Sequence, residues 1–285
     1  MRLSLFRHAA LLFAVSLLSF WASAQSVRFE IVTNMGTMRG FLYDATPGHR
    51  DAFVRLAREK HFDGTLFYRV VKDFVIQGGS SDSRNARPGQ HIGYGDEAVN
   101  IDSEFTPKCY HKFGALCAPR QPDKVNVFKT SDVSQFYIVR GRVYDDEFLT
   151  KYEKSINIPI RNALKKTYYT PYKEELEALK VSDPAAYKAR MREIRDQIEM
   201  EYRVSKYKKF TDEQRQDYTT KGGAPQLDGE YTVFGEVTEG LDVLVKINNM
   251  KVDANSRPLK DVKMTVRILS QRLKTPTITH LPDEK

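Results

Sequence analysis

Apolar and polar residues alternate along several short stretches of the chain, which is the pattern of half-buried β-strands. Residues 27–31 and 38–43 alternate in this way on either side of Asn34-Met35-Gly36, and this predicts a β-hairpin. Alternation at 264–268 predicts the last strand of the chain. Most of the sequence outside 142–222 therefore indicates a mainly β structure.

Helical spacing replaces alternation in a few places. Thr46, as the N-cap, and Pro47, at the first helical position, predict a helix over the following residues. A shorter helix is predicted around 241–245. Two apolar stripes separated by Asp183 and Pro184, an N-cap and a first helical residue, predict an antiparallel helical hairpin within 142–222.

The stretch from Phe67 to Gly79 carries the strongest chemical signal. It predicts two short strands, 67–71 and 74–77, joined at Lys72-Asp73. Arg69 and Gln77 then lie beside an apolar surface. An arginine among half-buried strand residues is costly unless it has a partner or a task, so this stretch indicates a ligand site.

The same stretch reads Phe-x-Arg-Val-x-x-x-Phe-x-Ile-Gln-Gly-Gly and resembles the signature of the cyclophilin peptidyl-prolyl isomerases. Residues 114–116, 134–138 and 227–237 are similar to later strands of that family, in the same order. The resemblance implies a closed antiparallel eight-stranded β-barrel, capped by two helices and carrying an inserted α-helical hairpin subdomain.

The predicted organisation has five parts. Arg2 and Arg7, an apolar run and Ala22-Ser23-Ala24 indicate a secretory signal peptide over 1–24, too short to span a membrane. The barrel is expected in two parts, 25–141 and 223–273, interrupted by the helical insertion 142–222. The polar tail 274–285 is expected to be disordered. We expect export to the periplasm, or otherwise secretion, without a membrane anchor.

Composition limits the other functions. The formal net charge of +8 is spread along the 285 residues, so a solvated surface is expected and not a nucleic-acid partner. Cys109 and Cys117 are the only cysteines; they either form a disulfide or remain free thiols. Too few ligands lie at zinc spacing, so neither a metal nor another cofactor is expected. We expect a monomer.

The resemblance also assigns a site. Arg69 is similar to the catalytic arginine of the family, which donates a hydrogen bond to the prolyl nitrogen when the amide twists. The substrate-binding positions that the resemblance implies are Phe74, Val75, Gln77, Pro119, Arg120, Gln135, Tyr137, Leu227 and Tyr231. Several aromatic positions depart from the family pattern, and Gln226 stands where a tryptophan is usual.

Two functions fit this sequence. The first is a peptidyl-prolyl cis-trans isomerase that acts on X-Pro bonds of unfolded or folding exported proteins. The second is a chaperone or binding module with little catalysis, in which the helical insertion holds Pro-containing clients. Retention of Arg69, Phe74 and Gln77 favours the first, whereas the altered aromatic positions and the large insertion leave room for the second.

Overall fold

A computed structural model describes residues 26–95, 99–205 and 207–270; the predicted signal peptide and tail lie outside the described residues. Eight antiparallel strands form one curled sheet in the order β10-β1-β2-β9-β6-β8-β4-β3, and two short strands, β5 and β7, pair separately. The strands are β1 Arg28–Thr33, β2 Gly36–Leu42, β3 Phe67–Val71, β4 Val75–Gly78, β5 Asn100–Ile101, β6 Ala115–Cys117, β7 Ser131–Asp132, β8 Phe136–Val139, β9 Val233–Glu239 and β10 Met264–Ser270.

The predicted closed barrel is wrong in one respect, because the sheet is open. Its edge strands, β3 and β10, meet through a single bridge between Leu66 and Lys263 and not through a continuous ladder. The Phe67 amide donates to the Val262 carbonyl at 2.9 Å, and the Met264 amide donates to the Thr65 carbonyl at 2.9 Å. The sheet therefore curls into a half-barrel whose edges touch only where β3 begins.

The core of the sheet is packed with aromatic rings. Phe136 is fully buried and meets the rings of Phe53, Phe62 and Phe67 with centroids 5.4 to 5.9 Å apart. Helix α1, Pro47–Arg58, covers β9 and β10, and helix α7, Leu241–Asn248, packs on β2, β3 and β4. The two predicted capping helices are thus present, and both bury an apolar face.

The N-terminus of α1 departs from its sequence prediction. Thr46 holds the N-cap position, but its side chain makes no capping bond and its buried hydroxyl has no partner among the described residues. Glu104 accepts hydrogen bonds from the backbone amides of Gly48 at 3.0 Å and His49 at 2.9 Å instead. A carboxylate from a distant loop therefore supplies the cap, and its charge also suits the helix dipole.

Among the residues that the structure describes, five α-helices lie between β8 and β9. They are α2 Asp146–Ile156, α3 Ile158–Tyr168, α4 Lys173–Ser182, α5 Pro184–Val204 and α6 Asp212–Thr220. Asp183 accepts from the amides of Ala185 and Ala186 at 3.0 Å, so the start of α5 is capped locally.

The two ends of this helical segment meet beside the sheet. Arg142 and Gly223 exchange two backbone hydrogen bonds of 3.1 Å. Gly222 has a φ of +93°, and a Cβ at Gly223 would lie 2.5 Å from the ring of Tyr218. Glycine is required at this pair of positions because the backbone turns sharply and approaches a ring closely.

Both cysteines are free thiols, which excludes the predicted disulfide alternative in this structure. Cys117 is buried in β6, and Cys109 is half-buried. Burial raises the pKa of the Cys109 thiol to about 11. Within the described ranges, no helix is both long and apolar enough to cross a bilayer.

Candidate active site

The β3–β4 hairpin brings Arg69 and Gln77 face to face as cross-strand partners. The Arg69 Nη1 group donates to Gln77 Oε1 at 3.4 Å. The tight turn before β4 includes Asp73, which has a φ of +55°. Asn248 of α7 holds this turn, because its side chain accepts from the Asp73 amide at 2.8 Å and donates to the Val71 carbonyl at 2.9 Å.

A chain of polar side chains orients Gln77. Its amide nitrogen donates to the Tyr68 hydroxyl at 2.8 Å, and that hydroxyl donates to Gln135 Oε1. Gln135 in turn donates to Asp132 Oδ2 at 2.8 Å. Burial raises the pKa of Tyr68 well above its usual value, so its hydroxyl keeps the proton that this chain needs. With Gln77 oriented in this way, its carbonyl oxygen points to Arg69.

An apolar floor lies next to this polar edge. Val75 and Tyr137 are almost fully buried, and Phe74 and Leu227 are packed against them. The Tyr231 ring meets the Tyr137 ring edge-on at 6.1 Å between centroids. Together they form a hollow of about 260 Å³ lined by Arg69, Phe74, Val75, Gln77, Pro119, Arg120, Tyr137, Leu227 and Tyr231.

A second buried chain supports Tyr137 from behind. The Tyr137 hydroxyl lies 2.9 Å from His111 Nε2, and His111 Nδ1 lies 2.9 Å from Asp228 Oδ1. The other Asp228 oxygen accepts from the Tyr218 hydroxyl of α6 at 2.5 Å. Because the carboxylate only accepts, His111 Nδ1 donates to Asp228. The position of Tyr137 is therefore linked to α6, one of the helices between β8 and β9.

Arg120 is turned toward the protein and not toward the hollow's centre. Its Nε donates to the Glu230 carbonyl at 2.7 Å, and its side chain is only 5% exposed. The guanidinium lies 4.7 Å from the centroid of the Tyr231 ring. Arg120 therefore acts on the hollow through Tyr231, which it holds in place.

The structure gathers nine of the ten site residues predicted from the sequence around this one hollow. The exception is Gln135, which is 6% exposed and lies behind the wall as the partner of Tyr68 and Gln77. The sequence did not reveal His111 and Tyr218. Asp228 belongs to the quoted stretch 227–237, but nothing in its spacing indicated a partner 117 positions away.

No ligand cluster for a metal ion occurs in the part of the chain that the structure describes. The polar side chains that line the hollow are two arginines, a glutamine and two tyrosines. Such a set can donate hydrogen bonds to a neutral amide, and it offers no carboxylate as a base. The arrangement suits binding and polarising an amide more than hydrolysing it.

Comparison with known proteins identifies the family of this chain. The chain matches the family model described as cyclophilin type peptidyl-prolyl cis-trans isomerase/CLD over residues 28–152 and 188–267, which is more than half of its length. The protein therefore belongs to the cyclophilin-type peptidyl-prolyl cis-trans isomerases, enzymes that interconvert the cis and trans forms of X-Pro bonds. The predicted family and enzyme class are thereby confirmed.

Several bacterial relatives agree with this membership. A protein of Staphylococcus epidermidis is 25% identical over 241 residues, which cover 83% of this chain and 88% of the relative. A protein of Staphylococcus haemolyticus is 24% identical, with 83% and 87% covered. Both bear provisional names as peptidyl-prolyl cis-trans isomerases.

Among solved structures, a cyclophilin type peptidyl-prolyl cis-trans isomerase of Cryptosporidium parvum is 18% identical, with a TM-score of 0.48. The alignment covers 87% of this chain and all of that one. The same Cryptosporidium protein crystallised in the presence of the dipeptide Ala-Pro gives a TM-score of 0.47.

Proposed function

We propose that the hollow beside Arg69 is the isomerase active site and that Arg69 is its catalytic residue. The observation that carries the proposal is the register of β3 and β4. It sets the Arg69 guanidinium directly opposite Gln77, at the rim of an apolar hollow. The site thus offers a fixed cation and a proline-sized apolar surface side by side.

Rotation about an X-Pro bond is slow because it breaks amide resonance, at a cost of about 18–20 kcal/mol. In the twisted transition state the prolyl nitrogen becomes pyramidal and basic, so a donor aimed at it stabilises that state more than the planar one. Arg69 supplies this donor, and it stays charged at every physiological pH. No proton is transferred and no bond is broken.

The remaining residues hold the substrate while the bond turns. Val75, Tyr137 and Leu227 take the proline ring, and the exposed part of Phe74 closes one side. The Gln77 amide binds the substrate backbone, and the backbone at Pro119 and Arg120 pairs with the extended peptide. Because the ring is fixed on one side of the bond, the rotation is confined to the other side.

The substrates we propose are X-Pro segments of exported proteins. The basis is the sequence of residues 1–24, which predicts a secretory signal peptide that is cleaved before Gln25. The division into a barrel of 25–141 and 223–273 and a helical insertion of 142–222 is part of this proposal, as are the periplasmic location and the monomeric state. Folding proteins in that compartment present proline bonds in both isomers.

The proposal is tested by the isomerisation rate of a short Ala-Pro peptide with the protein that begins at Gln25. Removing one transition-state donor typically costs about 100- to 1,000-fold in turnover, so Arg69→Ala should lose about two orders of magnitude. Arg55→Ala is the matched control, because that arginine lies on the exposed face of α1 and pairs with Glu59. A folded Arg69→Ala protein with normal turnover would overturn the assignment.

A second function, holding of unfolded clients, is favoured by the outer helices. Ile158, Val181 and Met200 are all more than half exposed on α3, α4 and α5. Exposed apolar side chains of this kind suit contact with unfolded chains. This binding would add to isomerisation and does not require Arg69.

The second function has its own test. Asn157 accepts from the Lys208 amide at 2.9 Å and donates to its carbonyl at 2.7 Å, so the chain can be rejoined there after α3 to α5 are removed. If the outer helices hold clients, the shortened protein should turn over the Ala-Pro peptide normally but lose its effect on a refolding protein. Equal behaviour of both proteins on both substrates would exclude client holding by these helices.

A further inference from the structure

A second and larger hollow, of about 570 Å³, adjoins the proposed active site. Its barrel side includes Phe74 and Gln226, and its other side is formed by Arg142, Phe148 and Tyr152 of the inserted segment. The predicted site residues do not include this side, because it is built from residues beyond β8. The hollow is therefore a feature of this chain's insertion.

The two hollows lie next to each other and share part of their lining. Phe74 lines both of them. Gln226 lines the larger hollow, and its chain neighbour Leu227 lines the smaller one. An extended peptide advances about 3.3 Å per residue, so a substrate whose proline fills the smaller hollow can place a nearby side chain in the larger one.

The insertion side of the larger hollow is a stack of aromatic rings. Phe148 lies between Tyr144, at 4.7 Å between centroids, and Tyr152, at 6.0 Å, and it is nearly parallel to both. The Arg142 guanidinium lies 5.0 Å from the Tyr144 centroid and 5.9 Å from that of Phe148. Phe148 is 36% exposed, so a surface of its ring stays open to a ligand.

This stack is held rigidly against the barrel. Asp145 caps α2 by accepting from the Phe148 amide at 2.6 Å, and Leu149 is fully buried beneath the helix. The Tyr144 amide donates to the Tyr218 carbonyl at 3.0 Å. Arg215 of α6 pairs with Asp146 at 2.6 Å. A ligand would therefore meet a preformed surface and not a loop that has to be ordered.

The charges around the larger hollow are predominantly positive. Lys72 and Arg142 both line it. Asp73 is the one carboxylate on its lining. An uncharged aromatic side chain can stack on the rings or on the Arg142 guanidinium, whereas a lysine would face two like charges.

We propose that the larger hollow is a specificity subsite for an aromatic side chain located within a few residues of the substrate proline. The proposal rests on the proposed function of the smaller hollow, since the same peptide occupies both. The helical insertion would then select X-Pro bonds according to the residues that flank them. Bonds flanked by aromatic residues would be turned over faster than bonds in a plain sequence.

The test uses a panel of peptides built on an alanine-rich parent with one central proline. Phenylalanine or lysine replaces alanine at each of the three positions on either side, and kcat/KM is measured for each peptide. An added aromatic contact should raise kcat/KM about 2- to 10-fold at one or more positions, and lysine there should give no gain. Phe148→Ala and Arg142→Gln should each reduce the ratio of the phenylalanine peptide to its parent toward one.

Leu259→Ala is the matched control, because this side chain is 65% exposed in the segment before β10 and lines neither hollow; it should keep the full gain. No gain at any position, or a gain that survives in both variants, would overturn the subsite. If the parent peptide is not turned over at all, the active-site proposal fails. In that case the dissociation constant of each peptide in the panel is measured instead. A phenylalanine-dependent gain in affinity that Phe148→Ala removes supports the subsite, and the lack of such a gain overturns it.

Discussion

Helices α2 and α6 differ from helices α3 to α5 in what lies beneath them, although all five lie between β8 and β9. Leu149 of α2 and Tyr218 of α6 are fully buried in a cluster with Tyr110 of the barrel part. The three outer helices bury only Leu176, Ile194 and Tyr202 among their described residues. The insertion therefore has an inner layer fixed to the barrel and a thin outer layer.

The inner and outer layers therefore contact different parts of the protein, although both lie in one segment of the chain. The inner layer reaches both hollows, through Tyr218 to Asp228 at one and through Phe148 at the other. The outer layer meets the inner one at Asn157 and Lys208 and has little buried area of its own. Regions with few buried apolar contacts open with a small free energy, so the outer layer should open first.

The largest expected effect is on the free energy of unfolding. It is measured by changing one core residue of the sheet and one of the outer layer. Phe136→Ala removes a ring that meets three others, so it should lower the free energy of unfolding by about 3–5 kcal/mol. Ile194→Ala should leave the main urea transition nearly unchanged while speeding hydrogen exchange in α4 and α5. A main transition lowered equally by both changes would mean that the layers unfold as one unit.

A smaller effect is expected where the inner layer meets the active site. Tyr218→Phe removes the hydroxyl that donates to Asp228 and leaves a carboxylate oxygen without this donor. We expect a loss of about 1–3 kcal/mol in the free energy of unfolding, with a fall in turnover through Tyr137. The control is Tyr187→Phe on α5, which should change stability by less than about 0.5 kcal/mol. Equal free energies of unfolding and equal turnover in the two variants would contradict a structural link between the inner layer and the active site.

The smallest effect on stability is expected from removing the helix caps in the two regions. Glu104 caps α1 from another loop, whereas Asp183 caps α5 locally. Glu104→Gln should cost about 1–2 kcal/mol of global stability, and Asp183→Ala should mainly loosen α5. Urea titrations of both variants measure this, and a larger global loss for Asp183→Ala would reverse the comparison.

The Glu104 cap also predicts a pH dependence. Burial raises the pKa of Glu104, but hydrogen bonds from His49 and Gly48 outweigh it, so the net pKa is below its ordinary 4.5. Burial lowers the pKa of His49 below its ordinary 6.5. The unfolded chain therefore binds more protons at both groups, and stability is lost as the pH falls from 6.5 through 4.5 and below. Glu104→Gln should flatten the lower part of this curve.

Local pattern was enough to predict the parts of the fold that depend on neighbouring residues. Alternation and the Asn34-Met35 turn gave the β1–β2 hairpin, and the spacing around Lys72-Asp73 gave the hairpin that carries Arg69 and Gln77. The resemblance then supplied the distant site positions. These predictions rest on period and turn chemistry, which act within a few residues.

The failures share one cause, which is contact between residues far apart in the chain. Glu104 replaced Thr46 as the effective cap of α1, and the open sheet edge depends on how β10 meets β3. Phe67 is buried although alternation puts it on the same face as the half-exposed Arg69, and the register of β3 shifts between these two residues, so simple alternation misplaces one of them. The support of Tyr137 by His111 and Asp228 had no signal in spacing.

The central claim is that Arg69 acts on the transition state and not on binding. Exchange spectroscopy by NMR on a Pro-containing peptide measures both the dissociation constant and the cis-trans exchange rate on the same sample. For Arg69→Ala we expect a dissociation constant within a few-fold of that of the unaltered protein. We expect the exchange rate to be lower by about two orders of magnitude. An exchange rate that stays at the unaltered level on the bound peptide would contradict it.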